Sequence, residues 1–223
     1  MIRATSLATL VLCACVPAIA RGGEAGHPKT PALAGLPEGT AKLISGGHSG
    51  DRSVLAYSGM VYDSLRHKIL AFGGGHATGN FPNSVHEFDI ATLEWTQLTE
   101  DVPPSAHSAE NAVKTPAGEK LGGIRWKGKI HAGSRHTYGG LVMIPGTSLM
   151  AVSTSMEFVG ARSRMPGGGK FYRDNYMGGS GLWIFDPVKR EWRVSKKAGL
   201  VATYGAGACD PQRPDWVYHF GPK

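Results

Sequence analysis

The strongest constraint on this chain is a motif that occurs twice. Phe88-Asp89 is followed, after five residues, by Trp95, and Phe185-Asp186 is followed, after five residues, by Trp192. Each copy ends a run of strand character, at 85–88 and at 182–185. Upstream of the first copy, Gly59-Met60-Val61-Tyr62-Asp63, a short turn and Ile69-Leu70-Ala71-Phe72-Gly73 read as a hairpin. A related hairpin occupies 140–143 and 149–152, and a third begins at 207–210 and 216–221. Self-similarity of this kind marks one supersecondary unit used repeatedly. The unit is four strands, predicted at 54–63, 68–73, 84–90 and 94–98 in the first copy and at 136–144, 148–154, 181–186 and 190–195 in the second. The third copy, at 203–223, has two strands.

Thirty-two glycines point to many tight turns, and no segment has a convincing amphipathic helical pattern. The class predicted is all-β. A lone four-stranded sheet exposes both faces, so the copies must bury themselves against one another. Trp95 and Trp192 suit the seams between copies, and the aspartate after each phenylalanine can fasten the turn to the next strand.

These residues resemble the kelch repeat. The matching elements are Gly73-Gly74-Gly75 after the second strand, Phe88-Asp89 on the third and Trp95 opening the fourth. The second copy keeps Phe185-Asp186 and Trp192 but has Ser153-Thr154-Ser155 in place of the glycines. With Phe72 to His76, Asn83, Val85 and Ser134-Arg135-His136-Thr137-Tyr138-Gly139-Gly140, the segment 41–223 is similar to exported bacterial kelch proteins grouped with the galactose oxidase central domain. The resemblance implies an incomplete kelch-type β-propeller, with blade one at 54–98, blade two at 136–195 and a half blade at 203–223. Closed rings have ~4–8 blades. Two and a half imply a truncated reading frame or a ring assembled from several chains. An isolated product with bare terminal blades is expected to aggregate or stay partly unfolded.

Residues 1–20 read as a cleaved signal peptide: Arg3, an apolar run at 7–16, then a small-x-small site ending at Ala20. The run is too short for a transmembrane span. An alternative reading anchors the chain by lipid through Cys15. Residues 21–40, rich in Gly, Pro and Ala, read as a flexible linker. The expected location is therefore periplasmic or secreted. Cleavage removes Cys13 and Cys15 and leaves Cys209, so no internal disulfide is expected. It also removes Arg3, leaving 23 basic against 17 acidic side chains, a net of +6 that favours anionic partners such as acidic glycans. Nucleic acid is not an expected partner, because no recognition motif or basic helix accompanies the charge.

In a kelch blade the fourth-to-first and second-to-third connections share one face. Here these are the long ones, at 74–83, 99–135 and 155–180, and long connections on a rigid scaffold commonly carry function. The loop 161–173 offers Arg162, Arg164, Lys170, Tyr172 and Arg173, guanidinium and ammonium groups beside an aromatic ring that suit a sulfated or carboxylated sugar. His76 and His136, with Tyr138 and Arg135, supply the residue types needed to move a proton and neutralise a carboxylate in β-elimination. Some propeller polysaccharide lyases use such residues. Cys209 and Tyr218 invite comparison with a copper-radical oxidase, but no copper, zinc or phosphate-loop motif is present and no cofactor is expected. The leading expectation is an exported scaffold binding glycan or protein, with lyase-like and oxidase-like chemistry as alternatives.

Overall fold

A computed structural model of the chain describes residues 34, 35, 37, 58–74, 82–154, 168–179, 181–195 and 205–220. Among these residues there are thirteen strands and one α-helix, and every strand ladder is antiparallel. The class is all-β. The signal peptide, Cys15 and nearly all of the linker lie outside the described residues.

The first repeat forms a four-stranded sheet in chain order: β1 (Gly59–Asp63), β2 (Lys68–Phe72), β3 (Val85–Asp89) and β4 (Glu94–Gln97). A three-stranded sheet follows, with β5 (Ala112–Lys114), β6 (Lys120–Trp126) and β7 (Lys129–Ala132). The second repeat is again a four-stranded sheet in chain order, with β8 (Leu141–Met143), β9 (Met150–Val152), β10 (Trp183–Asp186) and β11 (Glu191–Val194). The helix α1 (Gly168–Asn175) lies in the connection from β9 to β10. A two-stranded sheet, β12 (Ala206–Asp210) and β13 (Arg213–Phe220), ends the described chain.

Local chemistry explains the hairpins. The Oδ1 of Asp63 accepts the N–H groups of Leu65 and Arg66, that of Asp89 those of Ala91 and Thr92, and that of Asp186 those of Val188 and Lys189. An aspartate that accepts donors two and three residues on closes a turn by itself. The last residue of each of these turns is left-handed: His67, Leu93 and Arg190 have φ of 55°, 62° and 54°.

The repeats meet through their aromatic residues. Phe88 faces Trp95 across β3–β4 and Phe185 faces Trp192 across β10–β11, with ring centroids 5.2 and 4.9 Å apart. Trp192 also packs on Phe72 of the first sheet, at 4.8 Å. One core joins Leu70 and Phe72, Leu121 and Ala132 of the interposed sheet, and Met150 and Trp183. β1 lies beside β8 and β8 beside β12, and a parallel bridge links Gly139 to Ala206.

Two connections differ from the expectation. The stretch 99–135, read as one long loop, contains the sheet β5–β7, which covers the second repeat. Trp183 lies fully buried against it, its Nε1 donating to the Leu121 carbonyl at 2.7 Å. A Cβ on Gly123 would strike the Trp183 ring, which is why a glycine stands in mid-strand. The stretch 155–180, also read as loop, is helical from 168, where burial of Tyr172 and Tyr176 outweighs the poor helix propensity of Gly168 and Gly169. No described helix is long and apolar enough to cross a membrane.

Candidate functional site

The irregular segment 133–140, between β7 and β8, carries three of the four residues proposed for proton chemistry. Arg135 is fully buried. Its Nε, Nη1 and Nη2 donate to the carbonyls of Gly133, Thr154 and Gly122 at 2.9, 2.6 and 2.5 Å. Its acceptors among the described residues are carbonyls, not carboxylates. Burial pushes its pKa down to about 9, so it remains a cation at neutral pH. The guanidinium fastens the interposed sheet to the end of β9. Beside it, the Arg135 carbonyl accepts the Gly74 N–H at 2.9 Å, and the Thr137 hydroxyl accepts from Gly59 N–H at 2.5 Å and donates to the Phe72 carbonyl at 2.8 Å. This segment binds both repeats together.

His136 and Tyr138 do meet. The Tyr138 hydroxyl lies 3.5 Å from His136 Nδ1, the long limit of a hydrogen bond, and the rings make an edge contact at 5.5 Å. His136 is buried and Tyr138 is 39% exposed. His76 lies outside the described residues. The set is thus a neighbouring His–Tyr pair and an arginine already committed to carbonyls.

The cationic loop divides in a similar way. Arg162 and Arg164 lie outside the described residues. On α1, Tyr172 is fully buried, and with Tyr176 it encloses His107 in edge contacts at 5.7 and 5.6 Å. Burial raises the pKa of both tyrosines and lowers that of His107. Tyr172 is therefore a core residue here, not an exposed platform. Lys170 pairs with Asp174 at 2.5 Å, and Arg173 is exposed while its carbonyl accepts from Lys120 Nζ at 2.6 Å. Lys170 and Arg173 keep outward charge.

Cys209 and Tyr218 lie on paired strands but are not opposite each other. Cys209 pairs with Val217 and Tyr218 with Ala208, so the pleat directs the two side chains to opposite faces.

A cleft that sequence reasoning passed over lies where the β6–β7 turn meets the β10–β11 turn and the end of β4. It has adjoining compartments of about 220 and 290 Å³ that share Lys129, His131 and Arg190. Trp126, Lys127 and Glu100 line the larger, and Trp192 and Glu191 the smaller. Glu100 pairs with Lys127 at 2.6 Å, and Lys127 Nζ sits 4.3 Å from the Trp126 ring centre. His131, 8% exposed, packs edge-on to Trp126 at 5.8 Å. Burial lowers the His131 pKa, only partly offset by the nearby Trp126 carbonyl. The sequence signal was Trp126-Lys127-Gly128-Lys129, an aromatic residue beside two lysines in a turn.

No family model matches the chain, and no curated protein is significantly similar to it.

Proposed function

We propose that the chain is an exported kelch-type β-propeller scaffold that binds a glycan or protein rather than transforming it. The ring reading is supported by β1, β8 and β12 lying in succession and by the Phe72–Trp192 contact between neighbouring sheets, as radial packing requires. Export, to the periplasm or beyond, rests on residues 1–20, with lipid attachment at Cys15 as the alternative.

One observation carries binding over catalysis. Arg135, the group that would neutralise a substrate carboxylate, is fully buried and bonded to three carbonyls. A guanidinium so enclosed has no face to offer a substrate. The reading is tested by exposing the purified full chain to immobilised acidic and neutral polysaccharides while following ultraviolet absorbance for unsaturated uronates. Retention without product is expected.

The contact between His136 and Tyr138 favours a second reading, a lyase-like enzyme. Steady release of unsaturated product, abolished in Tyr138→Phe, would replace the scaffold reading with that one.

A further inference from the structure

We infer that the cleft between the β6–β7 and β10–β11 turns is a binding site for a carboxylated sugar, a uronate unit of an acidic oligosaccharide. This names the ligand and site of the binding reading above and rests on it, but not on closure of a ring.

Charges of both signs line the cleft. Lys127, Lys129 and Arg190 line the cleft against Glu100 and Glu191. Lys127 is occupied by Glu100, and Lys129 by Glu191 at 3.3 Å. Arg190 is exposed and has no ion-pair or hydrogen-bond partner among the described residues. Its left-handed φ of 54° fixes the backbone of the turn that presents it, and the preceding Asp186 locks that turn. An unengaged guanidinium on a rigid turn suits a carboxylate, which it can hold with two parallel hydrogen bonds.

Two buried side chains form the inner wall of the cleft. His131 lines both compartments and is more than nine-tenths buried, yet its Nδ1 has no hydrogen-bond partner among the described residues. Trp192 lines the smaller compartment, is 7% exposed, and its Nε1 donor is likewise without a partner there. Neither nitrogen has accessible surface, so these two side chains wall the cleft and do not themselves offer it a donor or acceptor.

The remaining groups select a sugar over a simple anion. Glu100 and Glu191 can accept hydroxyl hydrogen bonds, which a simple anion does not donate, while Lys127 lies over the Trp126 ring. Each compartment falls at or below the small end, about 300 Å³, of typical ligand pockets. That size suits one or two sugar units.

The test is titration of the full chain with a short oligogalacturonate and a matched neutral galacto-oligosaccharide, read by calorimetry and tryptophan fluorescence. The uronate should bind at least about tenfold more tightly than the neutral sugar, which corresponds to roughly 1.4 kcal/mol. Arg190→Asn, which tolerates the left-handed backbone, and separately Lys127→Asn, at φ 47°, should each weaken uronate binding while leaving the melting temperature close to the parent. The His131 ring resonance should shift on addition of uronate. Lys189→Ala, on the same turn but outside both compartments, should bind as the parent does. Uronate binding unchanged in Arg190→Asn would overturn the site while leaving the scaffold reading intact. Equal affinity for the neutral sugar would overturn the ligand class, and failure of both sugars to bind would overturn the inference as a whole. Retention of some other glycan or protein would keep the scaffold reading alive in that last case.

Discussion

The two repeats carry the same motif and end in different places. Phe88 and Trp95 face each other across β3–β4 just as Phe185 and Trp192 do across β10–β11, and the same aspartate fastens both turns. Yet Phe88 and Trp95 are half-buried, whereas Phe185 is fully buried and Trp192 is 7% exposed. The difference comes from neighbours. Trp192 has Phe72 of the first repeat on one side and Trp183, beneath the interposed sheet, on another. A repeat motif therefore fixes a local pair and leaves its energetic weight to the packing around it.

The sharpest way to break this comparison is to truncate both tryptophans. Trp192→Ala should cost about 3–5 kcal/mol in urea unfolding, the usual penalty for a fully buried aromatic residue, and Trp95→Ala no more than about 1–2. Equal losses would show that the two environments are alike in solution.

The next contrast concerns the residues after the second strand of each repeat. Gly73 has φ of +87°, and a Cβ there would strike the Arg135 carbonyl and the Thr137 side chain. The second repeat has Ser153 and Thr154 instead, whose own groups bond to Gly140 and Arg135. Gly73→Ala should destabilise by about 2–4 kcal/mol through left-handed strain and overpacking. Gly146→Ala, at φ +71° with open space around it, should lose only the strain, roughly 1–2 kcal/mol. A Gly73→Ala chain as stable as the parent would refute the close approach.

A smaller effect tests what the repeats share. Asp89→Ala and Asp186→Ala should each cost about 1–2 kcal/mol, because each removes an acceptor for two turn N–H groups. The ion pair with Lys68 and the turn N–H groups hold the Asp89 carboxyl below its usual range. A depressed carboxylate stabilises the fold above its unfolded value, about 3.9, and loses that contribution as pH falls through the folded value. Acid unfolding of Asp89→Asn should accordingly begin from a lower plateau and slope less below about pH 4.

The smallest effect reports on the cover over Trp192. Burial depresses the pKa of His131 from 6.5, so the neutral ring is the form the fold stabilises. That contribution is complete above about 6.5 and is lost as pH falls toward the folded value. Mild acid should loosen the β5–β7 sheet and change Trp192 fluorescence before global unfolding. Fluorescence that stays flat between pH 7 and about 5 would argue that His131 does not help to hold the cover.

Much of the fold was legible in the residues. The strands of both four-stranded sheets lie within the ranges that alternation and turn residues predicted, and Asp89 and Asp186 do what an aspartate after a strand was expected to do. The candidate site was much less legible. His136 and Tyr138 are neighbours as anticipated, but Arg135 and Tyr172 are polar-tipped residues that the fold uses internally. Nothing in a linear reading separates a guanidinium meant for solvent from one enclosed by the carbonyls of Gly122, Gly133 and Thr154.

What the sequence determined by itself is therefore short-range: hairpins and the four-strand unit. These depend on turn chemistry and on side-chain alternation between residues close in the chain. What only the tertiary structure decided depends on surfaces brought from far apart. Gly123 reads as loop until Trp183 lies over it, and α1 reads as a glycine-rich loop until Tyr172 and Tyr176 find His107. The cleft belongs to the same kind, since Lys129 and Glu191 meet across 62 residues of chain. Burial of apolar area sets such contacts, and it exists only once both partners are in place.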